Sequence, residues 1–150
     1  MTRVAATALV PGIISEAEEL WYDDRRWPSF LDGFSHVVQR DEGWPSAGTL
    51  IWDSTPHGRG RVLERVTRYE ARTGQVAEIE DEKVRGVQTV SFAGEGESTR
   101  VTLELDYVLK ERNPFSPLVD FLFIRRAVRE SLQRTVGRFA RERRGDVELI

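Results

Sequence analysis

VTLELDYVLK (residues 101–110) and LVDFLFIRRAVRESLQRTVGRF (residues 118–139) are separated only by ERNPFSP, and the two stretches carry different periods. In the first, Val101, Leu103, Leu105, Tyr107 and Leu109 alternate with Thr102, Glu104 and Asp106, so one face of an extended strand is apolar and the other polar. In the second, Leu118, Phe121, Leu122, Ile124, Val128, Leu132, Val136 and Phe139 form a helical stripe that predicts one long amphipathic helix to about Arg143. Asn113-Pro114 ends the strand, and Pro117 suits a first helical turn.

Upstream of this pair the period of two persists back to Phe34. Phe34, His36 and Val38 share a face, as do Leu50 and Trp52, then Leu63, Arg65, Thr67 and Tyr69, then Gln88, Val90 and Phe92. Turn-forming residues separate these runs at Gly43 to Gly48, Pro56 to Gly60, Thr73-Gly74, Arg85-Gly86 and Gly94 to Ser98, which predicts an antiparallel meander of six strands. Before it, Val4, Ala6, Ala8 and Val10 mark one more strand, ended by Pro11-Gly12. Ser15 with Glu18 has capping-box spacing for a short helix to Tyr22, and Trp27-Pro28 opens a second short helix ending near Gly33. The fold class is therefore α+β: a curved antiparallel sheet of about seven strands wrapped around a long C-terminal helix, with two short helices after the first strand.

The 150 residues fit one domain, 1–150, large enough to fold without staples. A net charge of -3 gives no overall attraction to nucleic acid or anionic lipid. The absence of cysteine excludes disulfides, thiolate nucleophiles and cysteine-ligated metals. No apolar run approaches the roughly 20 residues of a membrane span, and the first ten residues do not resemble a signal peptide, so a cytoplasmic location is expected. No cofactor is expected. Only His36 and His57 are present, too few for the usual zinc site, so no metal is expected either. The acidic run Glu78, Glu80, Asp81 and Glu82 reads as a solvated strand edge, and the arginines of the final helix as its outward face.

One helix cannot fill the concavity of a twisted sheet of this size. The remaining space holds large side chains or a ligand, and the inward set, with Phe34, Trp52, Tyr69, Phe92 and Tyr107, has the aromatic chemistry of a small-molecule site. The order of elements, with Trp21, the segment WPSFL (Trp27 to Leu31), WDSTPHGRGRV (Trp52 to Val62) and VTLELDY before the last helix, resembles the START-like helix-grip superfamily. That superfamily embraces polyketide aromatases and cyclases, pollen-allergen-type plant proteins and lipid carriers, and the closest similarity is to bacterial polyketide cyclase-like proteins. The resemblance covers essentially the whole chain and implies a ligand cavity between sheet and final helix. It also places Leu63, Arg65, Thr67 and Tyr69 on the pocket side. Where the cyclases carry an arginine that anchors the polyketide enol this chain has Tyr69, and where they carry a pocket tyrosine it has Phe34.

The expected ligand-binding residues are Phe34, His36, Trp52, Leu63, Arg65, Thr67, Tyr69, Gln88, Val90, Phe92, Tyr107 and Phe121. Arg65, a cation that needs a partner on an apolar face, Tyr69, a hydroxyl on an aromatic ring, and His36, which titrates near neutral pH, are the candidates for catalysis. Two functions follow: binding of a small hydrophobic or polycyclic molecule, lipid or polyketide-like, or a cyclase, aromatase or dehydratase reaction in the same cavity. An exposed apolar patch would favour a protein-interaction module instead. The expected partner is a small hydrophobic molecule, with no nucleic acid and no integral membrane segment, and a homodimer is left open.

Overall fold

Pro11 and Gly12 end the first strand, and the φ of 100° at Gly12 lies in the left-handed region that favours glycine. The computed structural model describes residues 1–111 and 117–149, apart from the side chains of Pro117 and Asp120. β1 (Thr2–Pro11) is followed by α1 (Ile14–Trp21) and α2 (Trp27–Phe30), then by β2 (Phe34–Arg40), β3 (Gly48–Ser54), β4 (Arg61–Glu70), β5 (Gly74–Glu80), β6 (Val84–Glu95), β7 (Ser98–Leu109) and α3 (Pro117–Glu148). The strands form one antiparallel sheet in the order β1-β7-β6-β5-β4-β3-β2, so β1 closes the meander by pairing with β7.

Three local expectations are corrected. α1 begins at Ile14 without a side-chain cap, and Glu18 is not part of a capping box. It is buried and accepts from the Arg72 backbone N–H at 2.7 Å and from the Arg72 guanidinium, which ties α1 to the β4–β5 hairpin. The hairpin turn expected at Arg85-Gly86 lies instead between Glu80 and Val84, and Gly86 sits within β6. A Cβ at Gly86 would stand 2.1 Å from the Asp106 carbonyl oxygen, so this glycine permits close strand approach rather than a turn. α3 runs past Arg143 to Glu148, while the Asn113-Pro114 stop lies outside the described residues.

α3 approaches the sheet most closely at β1 and next at β7. Its C-terminal half carries Leu132, Val136, Phe139 and Ala140 into the core, where Phe139 meets Phe30 and Trp21 edge-on at ring separations of 5.2 and 5.4 Å. Asp32, just after α2, fixes the helix from outside this cluster. Its carboxylate accepts from Ser131 at 2.7 Å, from both ends of the Arg134 fork at 3.0 Å and from Arg138 at 3.2 Å. Burial opposes its ionisation, but Arg134 and Ser131 hold its pKa below the usual value. Arg26 adds contacts of 2.8 Å to Glu142 and Asp146. Arg134 and Arg138, expected simply to face solvent, thus also tie the helix to Asp32.

The first half of α3 is held less. Leu118, Val119, Leu122 and Phe123 are all exposed. Phe139→Ala is expected to lower the unfolding free energy by about 3–5 kcal/mol, since it removes a fully buried ring and leaves a cavity. Urea unfolding should show a lower midpoint at unchanged slope. A loss below about 1 kcal/mol would show that the α1–α2–α3 cluster does not fasten the helix.

Candidate functional site in the cavity between sheet and final helix

The concave face of the sheet is filled at one end and open at the other. At the filled end, the Tyr22 ring packs edge-on against Trp44, Tyr69 and Phe92 at 5.7, 5.9 and 6.3 Å, while Trp27 packs against Phe34 and Trp44 at 5.7 and 5.5 Å. The helix α1 and the segment through Trp44 supply rings that one long helix could not. Burial, with Tyr69 and Glu18 nearby, pushes the Tyr22 hydroxyl strongly upward in pKa.

At the open end a cavity of about 250 Å³ lies between α3 and the strands. Its apolar wall comprises Ile124, Ala127, Val128 and Leu132 of α3 with Val84 and Leu105 of the sheet, and Phe123, 71% exposed, stands at its margin. The polar wall comprises Gln88, Ser131, Arg134 and Asp32 with His57 and Arg59 of the β3–β4 loop and Asp81 and Lys83 of the β5–β6 turn. A larger trough of about 630 Å³ beside the last turns of α3 is lined by Arg138, Arg141, Glu142 and Asp146, and it is too open and polar to take an apolar body out of water.

Two ordered arginines line the cavity: Arg134, held by Asp32, and Arg59. The Arg59 Nε donates to Asp81 Oδ2 at 2.8 Å, and its guanidinium carbon stands 5.5 Å from the centre of the Trp52 ring. Asp81 is itself fixed, because Oδ1 accepts the Lys83 and Val84 N–H groups at 2.8 and 2.9 Å. The Trp52 Nε1 donates to Glu64 Oε2 at 2.7 Å. Burial raises the Glu64 pKa, outweighing the Trp52 hydrogen bond and the nearby Arg59 charge. Among the described residues, the Arg59 Nη2 and the Tyr107 hydroxyl, like the Tyr22 hydroxyl and the Trp44 Nε1 at the filled end, are buried without a hydrogen-bond partner.

The expected site residues divide sharply. Gln88 lines the cavity. Trp52, Val90, Phe92 and Tyr107 are buried on the inner face, and Phe34 packs against Trp27 and Trp52. Tyr69 points inward at the filled end, away from the cavity, and Phe121 is half-buried without lining it. Leu63, Arg65 and Thr67 are corrected to the exposed outer face, where Arg65 pairs with Glu78. His36 is also outside, with its Nε2 3.5 Å from Asp53.

The physical reason is a pair of irregularities in strand pairing. A register shift between Phe34 and His36 turns His36 and Val38 outward, and one between Val66 and Arg68 separates Val62, Glu64 and Val66 from Tyr69 although all four face inward. The sequence reading therefore missed Glu64 and also Arg59, Asp81, Lys83 and His57. The only local signal for Arg59 is its setting between Gly58 and Gly60 in the quoted segment WDSTPHGRGRV.

The family described as polyketide cyclase / dehydrase and lipid transport matches this sequence over residues 1–143. The chain belongs to that family. Its fold is the helix grip of the family's structural relatives. The Zhui aromatase/cyclase of a Streptomyces species superposes with a TM-score of 0.79 at 14% identity, covering 97% of this chain and 95% of that one. A protein of Thermus thermophilus gives 0.73 at 20% identity, covering 93% and 95%. A START superfamily protein of Mycobacterium smegmatis gives 0.64 at 18% identity, covering 87% and 94%. At these identities the likeness establishes the fold alone. No curated protein matches the chain. No described helix is long and apolar enough to cross a membrane.

The buried acid has a measurable consequence. The folded chain keeps the Glu64 proton at pH values where the unfolded chain, with an ordinary carboxylate pKa of about 4.3, has released it. This group therefore makes stability fall as pH rises from about 4.3 through the raised folded-state value, after which its effect is constant. Glu64→Gln keeps an acceptor for Trp52 but cannot ionise. The stability of the variant relative to the parent should rise with pH across that window, and a difference that does not change with pH in denaturant titrations would contradict the buried, proton-retaining acid.

Proposed function

We propose that the chain is a single ligand-binding domain of the cytoplasm, which holds a small hydrophobic or polycyclic molecule between the sheet and α3. The observation that carries this reading is the cavity of about 250 Å³ beside Leu105 and Val128, left open although the other end of the same concave face is packed with aromatic rings. Its size lies just under the range of about 300–1,000 Å³ typical of pockets for drug-sized ligands. It therefore suits two or three fused rings, or a short branched chain, better than a full-length acyl lipid.

Binding is favoured over a cyclase, aromatase or dehydratase reaction by where the expected catalytic groups lie. Arg65 and His36 are exposed on the outer face, and Tyr69 packs against Tyr22 at the filled end, so the three do not converge on one reacting atom. Cavity binding needs no such convergence. It requires apolar walls and a few oriented polar groups, here Gln88 and the Arg59–Asp81 pair.

The test is a titration with 2-naphthamide, a neutral probe of suitable size, followed by protein fluorescence, together with native mass spectrometry of protein purified from its own host. Saturable one-to-one binding is expected, and Val128→Trp, which fills the cavity from α3, should weaken it about tenfold or more with unchanged far-UV circular dichroism. Equal affinity in the parent and the well-folded variant would place the probe elsewhere and defeat the assignment of this cavity.

A further inference from the structure

The charges around the cavity are unequally satisfied. Asp81 is already engaged at both oxygens, by Arg59 and by the N–H groups of Lys83 and Val84. Asp32 is engaged at both by Ser131, Arg134 and Arg138. Neither carboxylate has strong acceptor capacity left for a new cation. The cations differ. Among the described residues, Arg59 uses only its Nε, its Nη2 is buried without a partner, and the Lys83 ammonium at the same margin enters no ion pair.

A guanidinium N–H sealed from water without an acceptor is costly, because it has lost its hydration and gained nothing in exchange. Here the side chain is held in that state from two sides. Asp81 pins the Nε edge, and the Trp52 ring lies against the guanidinium. The Nη1–Nη2 end of the fork is the edge that no acceptor among the described residues occupies. A planar carboxylate matches that end with two parallel hydrogen bonds, which a neutral amide or carbonyl cannot do with comparable strength.

We propose that the cavity selects an apolar monocarboxylate, with the carboxylate on the Arg59 Nη1–Nη2 edge, Lys83 reinforcing it from the margin, and the hydrocarbon or ring body against Leu105, Ile124 and Val128. This rests on the cavity being the ligand site and adds the chemical class of its occupant. Asp81 is a positioning residue in this arrangement: it does not touch the ligand but fixes the direction of the fork that does. Binding asks the guanidinium to turn slightly toward the cavity, since Nη2 is occluded in the unliganded arrangement.

The experiment compares 2-naphthoate with 2-naphthamide, which share a ring body and differ in charge, at pH 7 by calorimetry. The parent protein should bind the carboxylate about tenfold or more tightly, the size expected of a hydrogen bond to a charged partner in a partly dry site. Arg59→Gln should abolish that preference, bringing the two probes to within about threefold of each other in the same variant, and Arg59→Lys should retain part of it. Equal affinities for the two probes in the parent protein would overturn the carboxylate assignment but leave the cavity standing, and this comparison needs no variant to fold. A preference that survives in a folded Arg59→Gln protein would remove Arg59 from the recognition. Failure of both probes to bind would overturn the cavity reading and this inference together.

Discussion

A strongly curved seven-stranded sheet has more concave apolar surface than a single helix can cover, and the rest of this molecule is arranged around that mismatch. α3 lies close to the sheet along β1 and β7, where Phe139 and Val136 anchor it. Away from that seam a gap is left, its open part lined from the sheet by Val84, Gln88 and Leu105. One end of the gap is filled by α1, α2 and the Trp44 segment, which bring Trp21, Tyr22, Trp27, Phe30 and Trp44 under the sheet. The other end has no such insertion, and the first half of α3 leaves Leu118, Val119, Leu122 and Phe123 exposed beside it. Close packing is the ordinary state of a protein interior, so space left at one end only is a property of how the covering elements were distributed.

Acids taken inside the chain are handled in three ways, each with a different consequence. Glu18 meets Arg72 and fastens a helix to a hairpin. Asp81 organises a turn through two backbone N–H groups and orients Arg59 over Trp52. Glu64 has only a neutral indole as its hydrogen-bond donor among the described residues, with Arg59 acting at a distance, and burial therefore favours its protonated form. The last two stand next to each other through Trp52, at the cavity end of the sheet.

The similarity to the Streptomyces aromatase/cyclase extends over nearly the entire chain in shape at 14% identity, so it is a likeness of fold. The site of this chain is set by its loops and turns. Gly58 and Gly60 flank Arg59, Gly60 with φ of 74°, and the pinning acid comes from a turn on a different hairpin. Fold and site are separable here, and the arguments for them are of different kinds.

What the sequence by itself determined was the identity and order of elements. Alternation in VTLELDYVLK, the helical stripe after Pro117, and the short helices around Trp21 and Trp27 are local signals, and each element formed where its period required, with turn positions off by a few residues near Asp81 and Gly86. The faces were less legible. Alternation assigns a strand's two faces only while pairing is regular, and the irregularities in β2 and β4 changed the phase, so His36, Leu63, Arg65 and Thr67 went outside while Glu64 came in. Nothing local in those strands announces the extra residue. The polar wall of the cavity was decided by tertiary structure alone, because Arg59, Asp81, Gln88 and Ser131 come from a loop, a turn, a strand and a helix, and only the closing of α3 over the twisted sheet brings them around one space.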